Sequence, residues 1–386
     1  DNVGSGIDQL YSGNYLLLSP NWGGGKGAVT FLDPSLGVTG VVSDQNSLVG
    51  SVSTDNVGSG DYYDILDIYD SDAGEYNYLV FSTNWDGGKG AVTFGSGATG
   101  VSGIVSASNS FVGDTAGDRV GSAYTQQIYK NGTYAYLIKS PLWHGSAGAI
   151  TWMKGDGNAF SAVNFNGTVN STNSLVGSSA NDGVGSGGYF QLDSDNFLIR
   201  SPDWGGGKGA ITFMDPTVGV VGVVSNLNSL VGSATTDNVG SGGIDEIYDY
   251  QNDAYQYLVF SPEWGGTKGA VTLGSSETGV SGTVSASNSF VGNAAGDQVG
   301  SDGVDSLYDY YSGNYHYLLF SPNWGGGKGA VTWFDGTGAG FGGVVSASNS
   351  LVGSQAGDQI GSGGTEVIFG DYSSGFSYLV FSPEWN

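Results

Sequence analysis

The sequence predicts an all-β fold, namely a β-propeller built from four-stranded antiparallel blades. Two motifs, Asp-x-[Val/Ile]-Gly and Ser-x-x-Trp, alternate seven times with a mean period of about 60 residues, which is a length typical of repeat architectures. No segment has a sustained 3.6-residue apolar period, so we expect less than about 5% helix. The motif aspartates are Asp1, Asp55, Asp118, Asp182, Asp237, Asp297 and Asp358, and the tryptophans are Trp22, Trp85, Trp143, Trp204, Trp264, Trp324 and Trp385.

The motifs divide residues 1–386 into one repeat domain with six full repeats and a partial seventh. The last repeat contains only its first two strand segments, so the predicted propeller has seven blades and an incomplete last blade. The predicted repeats are 1–54, 55–117, 118–181, 182–236, 237–296, 297–357 and the partial 358–386.

Each repeat contains four segments, A to D, that are rich in β-branched and aromatic residues and bounded by Gly, Pro, Asn and Ser. In the sixth repeat, segment A covers 297–308, segment B covers 315–320, segment C covers 328–334 and segment D covers 343–353. A polar turn at 311–314 joins A to B, and glycines 325–327 join B to C. This composition predicts four short strands for each repeat.

Spacing within the repeat separates packed connections from exposed ones. The Gly that ends segment D precedes the next motif Asp by five residues in all six cases, as from Gly50 to Asp55, whereas the Asp-to-Trp distance varies from 21 to 30 residues. Because insertions accumulate on exposed loops, we expect a packed D-to-A corner and a solvent-facing A–B turn. A stacked β-solenoid is the competing fold, but its coils are shorter, at roughly 20–30 residues.

Composition narrows the classes of function. With 71 Gly but 13% aromatic residues, the chain can bury a core. A net charge of −26 argues against binding nucleic acid or an anionic membrane, and no apolar run approaches the roughly 20 residues of a membrane helix. The chain starts at Asp1 without Met and has no Cys, so we expect a processed protein or a fragment of a longer one without disulfides.

The motifs resemble the FG-GAP repeats of integrin-α-type propellers. Val299-Gly300 stands where that family has Phe-Gly, Ser321-Pro322 stands where it has Gly-Ala-Pro, and 329–332 (Gly-Ala-Val-Thr) is similar to its third-strand element. The recurring Ser-Pro-Asn-Trp and Asn-Ser-Leu-Val-Gly also resemble the repeat arrays of secreted bacterial surface proteins and adhesins. These resemblances imply a propeller on the cell surface or outside the cell.

The FG-GAP resemblance implies calcium in the A–B turn, since that family often places a calcium loop there. The candidate ligands are Asp70, Asp72 and Glu75, and residues 193–196 form a poorer loop of the same kind. Calcium needs six to eight oxygen ligands, which two or three carboxylates and nearby carbonyls could supply. Alternatively, Asp, Ser and Gly are present only as turn formers, and no cofactor is bound.

A Trp and a Lys four residues later recur together in five repeats, and five of the eight lysines occupy this position. One interpretation is a ligand cleft formed by Trp and Lys. The other is structural, with Trp packed between blades and Lys paired to a motif Asp. The candidate ligand-binding residues are Trp22, Lys26, Trp85, Lys89, Trp204, Lys208, Trp264, Lys268, Trp324 and Lys328.

The motif aspartates, and the Asn of each Asn-Ser pair in segment D, precede tight turns. Side chains at such positions accept local backbone N–H bonds, so both sets are predicted to fix corners. No enzyme motif is present: His144 and His316 lie at non-equivalent positions of the repeat, and no phosphate loop or nucleophile elbow occurs.

We therefore expect a non-enzymatic extracellular or cell-surface protein that acts as a multivalent adhesive or ligand-binding propeller. Two alternatives stay open: a structural segment of an extracellular filament or matrix, and a lectin that binds glycans through the Trp/Lys clefts. The expected partners are subunits or repeats of the same kind, or glycans, but not nucleic acid or a membrane interior.

Overall fold

The computed structural model describes residues 2–159, 163–309, 314–369 and 376–385. Asp1, the tip of the sixth A–B turn at 310–313 and Asn386 lie outside these ranges. The described part is all-β, with about 40% strand and about 7% helix. The helix content slightly exceeds the sequence prediction because six of the seven Ser-x-x-Trp motifs start a four-residue helical turn.

The strands follow the repeats in order. In the first three repeats they are β1 (Gly6–Gln9), β2 (Tyr15–Ser19), β3 (Ala28–Leu32), β4 (Ser47–Val49), β5 (Ile65–Asp70), β6 (Glu75–Ser82), β7 (Ala91–Gly95), β8 (Gly103–Ile104), β9 (Ser110–Val112), β10 (Gln126–Lys130), β11 (Thr133–Ser140), β12 (Ala149–Lys154), β13 (Asn158–Ala159), β14 (Val163–Asn164), β15 (Gly167–Thr168) and β16 (Leu175–Val176).

In the later repeats they are β17 (Tyr189–Gln191), β18 (Phe197–Ser201), β19 (Ala210–Met214), β20 (Gly222–Val223), β21 (Ser229–Val231), β22 (Gly243–Asp249), β23 (Ala254–Ser261), β24 (Ala270–Ser275), β25 (Gly282–Thr283), β26 (Ser289–Val291), β27 (Val304–Asp309), β28 (Asn314–Ser321), β29 (Ala330–Asp335), β30 (Gly343–Val344), β31 (Ser350–Val352), β32 (Thr365–Phe369) and β33 (Phe376–Val380).

The helical turns all begin at the motif Trp. Their second and third residues have positive φ, as at Gly265 (63°) and Gly266 (72°), so the chain leaves the helical conformation at once. The turns are α1 (Trp22–Gly25), α2 (Trp85–Gly88), α3 (Trp143–Ser146), α4 (Trp204–Gly207), α5 (Trp264–Thr267) and α6 (Trp324–Gly327). Within the described ranges, no helix is long and apolar enough to span a membrane.

The chain divides into two compact units, residues 1–186 with 214–224, and residues 187–213 with 225–386. In both units the basic sheet contains segments A, B, C and D of one repeat in antiparallel order, as in β22-β23-β24-β26. Buried aliphatic and aromatic side chains from consecutive sheets form each core.

The structure corrects the prediction of one strand in segment D. Its first part, Gly-Val or an equivalent pair, leaves its own repeat and pairs in parallel with the last strand of the preceding repeat, as β25 does with β21. Its second part pairs with segment C of its own repeat, as β26 does with β24. We call the first part the shared strand. The shared strands are β8, β15, β20, β25 and β30, and their partners are β4, β9, β16, β21 and β26.

Hydroxyl pairs join segments C and D in six repeats, and five of these pairs are buried. In the fifth repeat Thr272 Oγ1 and Ser289 Oγ are 2.7 Å apart, and both side chains are inaccessible to solvent. The Thr comes from the Gly-Ala-Val-Thr motif and the Ser from the Asn-Ser motif, so this hydroxyl pair explains why both residues recur in the repeats. Paired hydroxyls satisfy each other where water cannot reach.

The third repeat contains the longest insertion, between Trp143 and Asn173. The added residues include the hairpin strands β13 and β14, and β13 extends the sheet from β12. The insertion therefore adds strands that pair with segment C beside segment D.

Candidate binding surfaces

The two recurring motifs contact each other at one corner of the repeat. In the fifth repeat the Gly240 N–H donates to Ser261 Oγ (3.0 Å), and the Gly265 N–H, next to the motif Trp, donates to Asp237 Oδ1 (3.0 Å). The first bond recurs at Gly58, Gly121, Gly300 and Gly361, and the second recurs at Asp55, Asp118 and Asp297. The motifs recur together because each supplies hydrogen-bond partners to the other.

The corner carboxylate also holds the end of the preceding repeat. Asp237 is fully buried, and its Oδ2 accepts N–H bonds from Ser233 (2.7 Å) and Ala234 (2.8 Å). The Val239 N–H donates to the carbonyl of Lys208 in the preceding repeat (3.0 Å). The predicted corner-fixing role of the aspartates is confirmed for the described members, and the Asn side chains act in the same way, as when Asn288 Oδ1 accepts the Ser285 N–H.

The candidate tryptophans are partly buried. Trp85, Trp264 and Trp324 pack against the cores of their units. Trp22 and Trp204 are also partly buried, Trp143 is buried, and only Trp385 is mostly exposed. The indole N–H groups of Trp85, Trp204, Trp264 and Trp324 are buried without a hydrogen-bond partner. Each ring therefore serves mainly as a packing group and offers only part of its surface to a ligand.

The candidate lysines lie on the same turns as the tryptophans. The stem of Lys208 covers Gly205, where a Cβ would lie 2.9 Å from Lys208 Cδ, and Lys26, Lys268 and Lys328 cover their turns in the same way. Gly269, which follows Lys268, has a φ of 77° and admits no Cβ, because the Val299 N would be 2.2 Å away. Close packing against the next repeat therefore requires the glycine after the lysine.

Lys89 pairs with Asp86 of its own turn (Nζ–Oδ2 2.7 Å) and not with a corner aspartate. That hydrogen bond, together with the charges of Asp86, Asp114 and Asp118, raises the pKa of Lys89 despite partial desolvation. The structure thus brings Trp and Lys side by side, with one cation on the turn surface. The third repeat instead has Ala147 in place of Lys and stacks His144 on Trp143, with ring centroids 3.7 Å apart.

The candidate calcium loop already uses its carboxylate in a turn. Asp70 Oδ1 accepts the N–H bonds of Asp72 (2.9 Å) and Ala73 (3.1 Å), and Glu75 begins the next strand. In the poorer loop, the Asp193 N–H donates to the carboxylate of Glu246. These contacts are those expected of the turn-former alternative.

Within the described ranges, three ligand atoms close enough to share a metal ion belong to Asp114, Asp118 and His144. His144 Nε2 lies 2.7 Å from Asp114 Oδ1, while Asp118 accepts backbone N–H bonds from Asp114, Thr115 and His144. Burial raises the pKa of Asp114, but hydrogen bonds from His144 and Thr115 outweigh it and leave that pKa lowered. This group is a local hydrogen-bond cluster built on a corner aspartate.

Tyrosine pairs lie on the A–B hairpins, and the sequence analysis missed them. Tyr76, Tyr129 and Tyr255 are exposed, and the other paired tyrosines are partly buried. The last Tyr of segment A is directly opposite the first Tyr of segment B, with ring centroids about 4.9 Å apart. The pairs are Tyr69–Tyr76 (4.9 Å), Tyr129–Tyr134 (4.8 Å), Tyr248–Tyr255 (4.9 Å) and Tyr308–Tyr315 (4.9 Å). A Tyr on each side of the variable turn was the signal available in the sequence.

Contacts between repeats join these pairs into continuous rows. In the first unit, Tyr11 contacts Tyr76 at 5.2 Å, and Tyr69 contacts Tyr134 at 5.6 Å. We call this row, which contains Tyr11, Tyr76, Tyr69, Tyr134 and Tyr129, the first tyrosine ladder. It spans three consecutive repeats.

A second row lies on the fifth and sixth repeats. Tyr248 contacts Tyr315 at 6.4 Å, and Tyr250 contacts Tyr308 at 5.9 Å. We call the row of Tyr250, Tyr248, Tyr255, Tyr315 and Tyr308 the second tyrosine ladder. The fourth repeat has no tyrosine pair, since Gln191 and Phe197 face each other there.

Carboxylates border both ladders. Asp67 Oδ1 accepts the Tyr11 N–H (3.0 Å), and burial, reinforced by Asp8, raises the pKa of Asp67. The Tyr248 hydroxyl donates to the carboxylate of Asp253, and this bond, with some desolvation, raises the pKa of Tyr248 to about 12. The ladders are therefore aromatic surfaces in acidic surroundings.

The second repeat has an additional aromatic cluster. Tyr62 and Tyr63, from a short insertion before segment A, contact Tyr124 of the third repeat at 5.5 and 6.0 Å. Burial and the two neighbouring tyrosines raise the pKa of Tyr63 to about 12. This cluster lies outside the ladders.

Comparisons with known proteins identify the repeat. The family described as "Repeat of unknown function (DUF5650)" matches six segments, residues 9–59, 74–122, 129–186, 191–241, 253–301 and 312–362. These matches follow the predicted repeats and extend from segment A or B of one repeat into the corner of the next. A comparison with curated proteins gave no significant match.

Among solved structures, the chain is similar at low level to a eukaryotic initiation factor (9% identity, 92% of this chain and 77% of that one, TM-score 0.29). It is also similar to the Dos1 propeller (11%, 90% and 71%, TM-score 0.26). An endo-1,5-α-L-arabinanase from Thermotoga petrophila RKU-1 matches with 14% identity over 67% of this chain and 68% of that chain, at a TM-score of 0.21.

Proposed function

This chain belongs to the family described as a repeat of unknown function (DUF5650), whose model matches six segments of it. We propose that the chain is a non-enzymatic extracellular or cell-surface scaffold for multivalent binding. The observation that carries this proposal is the pair of tyrosine ladders on the A–B hairpins. Exposed aromatic patches are typical of interaction sites, and repetition of one weak site raises avidity.

The different roles of the corner and the A–B hairpin within each repeat support this proposal. The most regular motif residues, Asp237, Ser261 and Gly240 in the fifth repeat, are used in corner hydrogen bonds. The hairpins that vary in length carry the exposed aromatic rings. His144 is hydrogen-bonded to Asp114 in the third repeat, and His316 lies beside Trp333 at 5.3 Å in the sixth, so the two histidines have different surroundings.

The test uses bacteria that display the full chain on their surface, with antibody labelling of intact cells as the check on display. Retention under flow is measured on surfaces coated with matrix proteins and with polysaccharides. Replacing Tyr11, Tyr76, Tyr250 and Tyr255 with Ser should reduce retention on the binding surface by about tenfold or more, through lost avidity. Equal retention of both cell types on every surface would contradict the proposal.

A structural role in a filament or matrix is a second candidate, and one observation favours it. In the described part of the chain, β31 has no shared strand beside it, and its Leu351 is 56% exposed, whereas the equivalent Leu230 of β21 is 0% exposed. An open strand edge is a template for pairing. Its matching partner would be a Gly-Val strand of another repeat.

Sedimentation of the full chain tests this second candidate. If the edge of β31 mediates assembly, Leu351→Asp should abolish concentration-dependent association, while the exposed control Leu227→Asp should not. A monomer at all concentrations would exclude self-assembly through this edge. Negative-stain images of the same samples would test the predicted propeller of seven blades with an incomplete last blade.

The lectin alternative has less support, because the candidate Trp rings pack against the cores and their indole N–H groups are buried. A glycan-array experiment tests it. If glycan binding is lost in Lys208→Ala and Lys268→Ala while the melting temperature is unchanged, the lectin alternative would be favoured over binding through the tyrosine ladders.

A further inference from the structure

We infer that the tyrosine ladders bind cationic polypeptide segments, with Arg or Lys side chains lying on the rings and their charges paired to the bordering carboxylates. This inference names the partner class for the proposed binding scaffold and rests on that proposal.

The rings are accessible. Tyr11 is 76% exposed and Tyr250 is 51% exposed, and the outer faces of Tyr76, Tyr129 and Tyr255 are also open to solvent. A guanidinium or ammonium group over a tyrosine ring contributes about 0.5–1 kcal/mol at an exposed site. One contact is weak, so a row of rings along successive repeats is suited to a partner with several cations.

The negative charge of the hairpins favours a positively charged partner. The hairpin of the fifth repeat, 243–261, has the exposed carboxylates of Asp245 and Asp253, a partly buried Glu246 and a buried Asp249, but no Lys or Arg. The described part of the sixth hairpin also has carboxylates and no Lys or Arg. In the first ladder Lys130 follows Tyr129, but its ammonium is 3.6 Å from Asp215. A surface of this kind concentrates cations and repels polyanions.

Hydrogen bonding strengthens the same preference. The Tyr248 hydroxyl donates to the Asp253 carboxylate, which increases the electron density of that ring. An Arg side chain placed there would meet a ring face and a carboxylate together, and a planar guanidinium can stack and form a forked ion pair at the same time.

Ring orientation disfavours a flat neutral polysaccharide. Successive rings of the first ladder meet at 46°, 53°, 84° and 48°, so they do not form one flat platform for consecutive sugar rings. Separate cationic side chains on a flexible backbone can adapt to each ring in turn.

The experiment measures binding of a fluorescein-labelled octa-arginine peptide to the full chain at about 50 and 150 mM salt, by fluorescence anisotropy. The test variant carries Tyr11→Ser, Tyr76→Ser, Tyr250→Ser and Tyr255→Ser. The control is Tyr62→Ser, which removes a 59% exposed tyrosine outside both ladders. A rescue variant carries Phe at the same four positions, and circular dichroism confirms the fold of each.

We expect at least a tenfold loss of octa-arginine affinity in the Ser variant, less than a threefold change in the Tyr62→Ser control, and retention of most of the affinity in the Phe variant. Asp253→Asn alone, made in the wild-type chain, should also weaken octa-arginine binding. A neutral cello-oligosaccharide should not compete with the peptide.

Equal octa-arginine affinity in the Ser variant and in the control would overturn the inference, since binding would then be net-charge attraction alone. Competition by the oligosaccharide would also overturn it. If the same Ser variant still lowers cell retention, the proposed binding scaffold stands and only the partner class is wrong. If it changes neither retention nor affinity, both proposals fail.

Discussion

At the residue scale, one buried carboxylate connects three parts of the chain. Asp237 accepts backbone N–H bonds from Ser233, Ala234 and Gly265, which lie before and after it in the sequence. Several N–H bonds compensate a carboxylate for lost hydration. This geometry explains why Asp recurs there in a chain whose other acidic residues vary in position.

Asp237→Ala should strongly destabilise the second unit, because it leaves buried N–H donors without acceptors. We expect a loss of about 2–4 kcal/mol in the free energy of unfolding, measured from the urea transition. The control Asp44→Ala removes an exposed carboxylate and should change stability by less than about 0.5 kcal/mol. Similar effects from both substitutions would contradict the structural role of the corner.

The ionised carboxylate of Asp67, unlike that of Asp237, is destabilised by its surroundings. Burial and the charge of Asp8 raise its pKa above the usual value, so the folded state favours the protonated form. Stability is therefore lost as the pH rises through the folded-state pKa, and the ionised side chain destabilises the protein at neutral pH.

Asp67→Asn keeps an acceptor for the Tyr11 N–H and removes the charge. We expect a higher melting temperature than wild type at pH 7 and no difference near pH 3, where the wild-type carboxyl is protonated. Melting curves at several pH values check this. A difference that is independent of pH would show that charge is not the cause.

At the element scale, the shared strand is the main connection between consecutive sheets. The Val284 N–H, next to β25, donates to the Val231 carbonyl of β21 in the preceding repeat (3.0 Å), and the Val284 side chain is buried. A two-residue strand has few such bonds, so each contributes strongly to the junction between repeats.

Val284→Pro should open this junction, because proline removes the N–H donor. We expect faster amide hydrogen exchange in 229–231 as well as in 282–284, although these segments belong to different repeats. Val284→Ala keeps the N–H and should lower stability through lost packing without the same local opening. Unchanged exchange in 229–231 would contradict the shared-strand connection.

The Trp turn is a second structural element of the repeat, and its ring is a packing group. Trp264→Ala should lower the free energy of unfolding by about 3 kcal/mol, as large-to-small core substitutions do. Trp333→Ala, at a ring that is 47% exposed on segment C, is the matched control and should cost less than half as much. A stable Trp264→Ala protein with lost ligand binding would reverse this assignment.

At the scale of the whole molecule, the large net negative charge affects the stability of the folded state. With 36 acidic and 10 basic residues, self-repulsion opposes the folded state, and salt screens it. We expect the melting temperature to rise as sodium chloride increases from about 10 to 300 mM.

Calcium should add little beyond this general screening, because the Asp70 carboxylate already binds two N–H groups of its turn. The melting temperature in EDTA should equal that in calcium once ionic strength is matched. A substantial fall in EDTA that disappears in the Asp70→Ala, Asp72→Ala variant would establish a calcium site in this loop.

The repeat and its corner could be predicted from local information. The constant five-residue spacing from Gly50 to Asp55 indicated a packed connection, and the variable A–B distance indicated an exposed turn. Both features depend on residues close in sequence, and glycine, Asx-type turns and β-branched residues have strong local preferences. The candidate Trp and Lys residues lie on the same turn because they are four residues apart, and their role in ligand binding stays a prediction.

The sequence by itself determined an all-β chain of about 60-residue repeats with corner aspartates and a large net negative charge. Only the tertiary structure decided that β25 leaves its own sheet for β21, because backbone N–H and C=O groups are the same in every residue and do not specify their partner. It also decided that Tyr69 meets Tyr134 and Tyr248 meets Tyr315, since these contacts depend on how successive sheets stack. The candidate binding surface therefore arises between repeats, where no single motif encodes it.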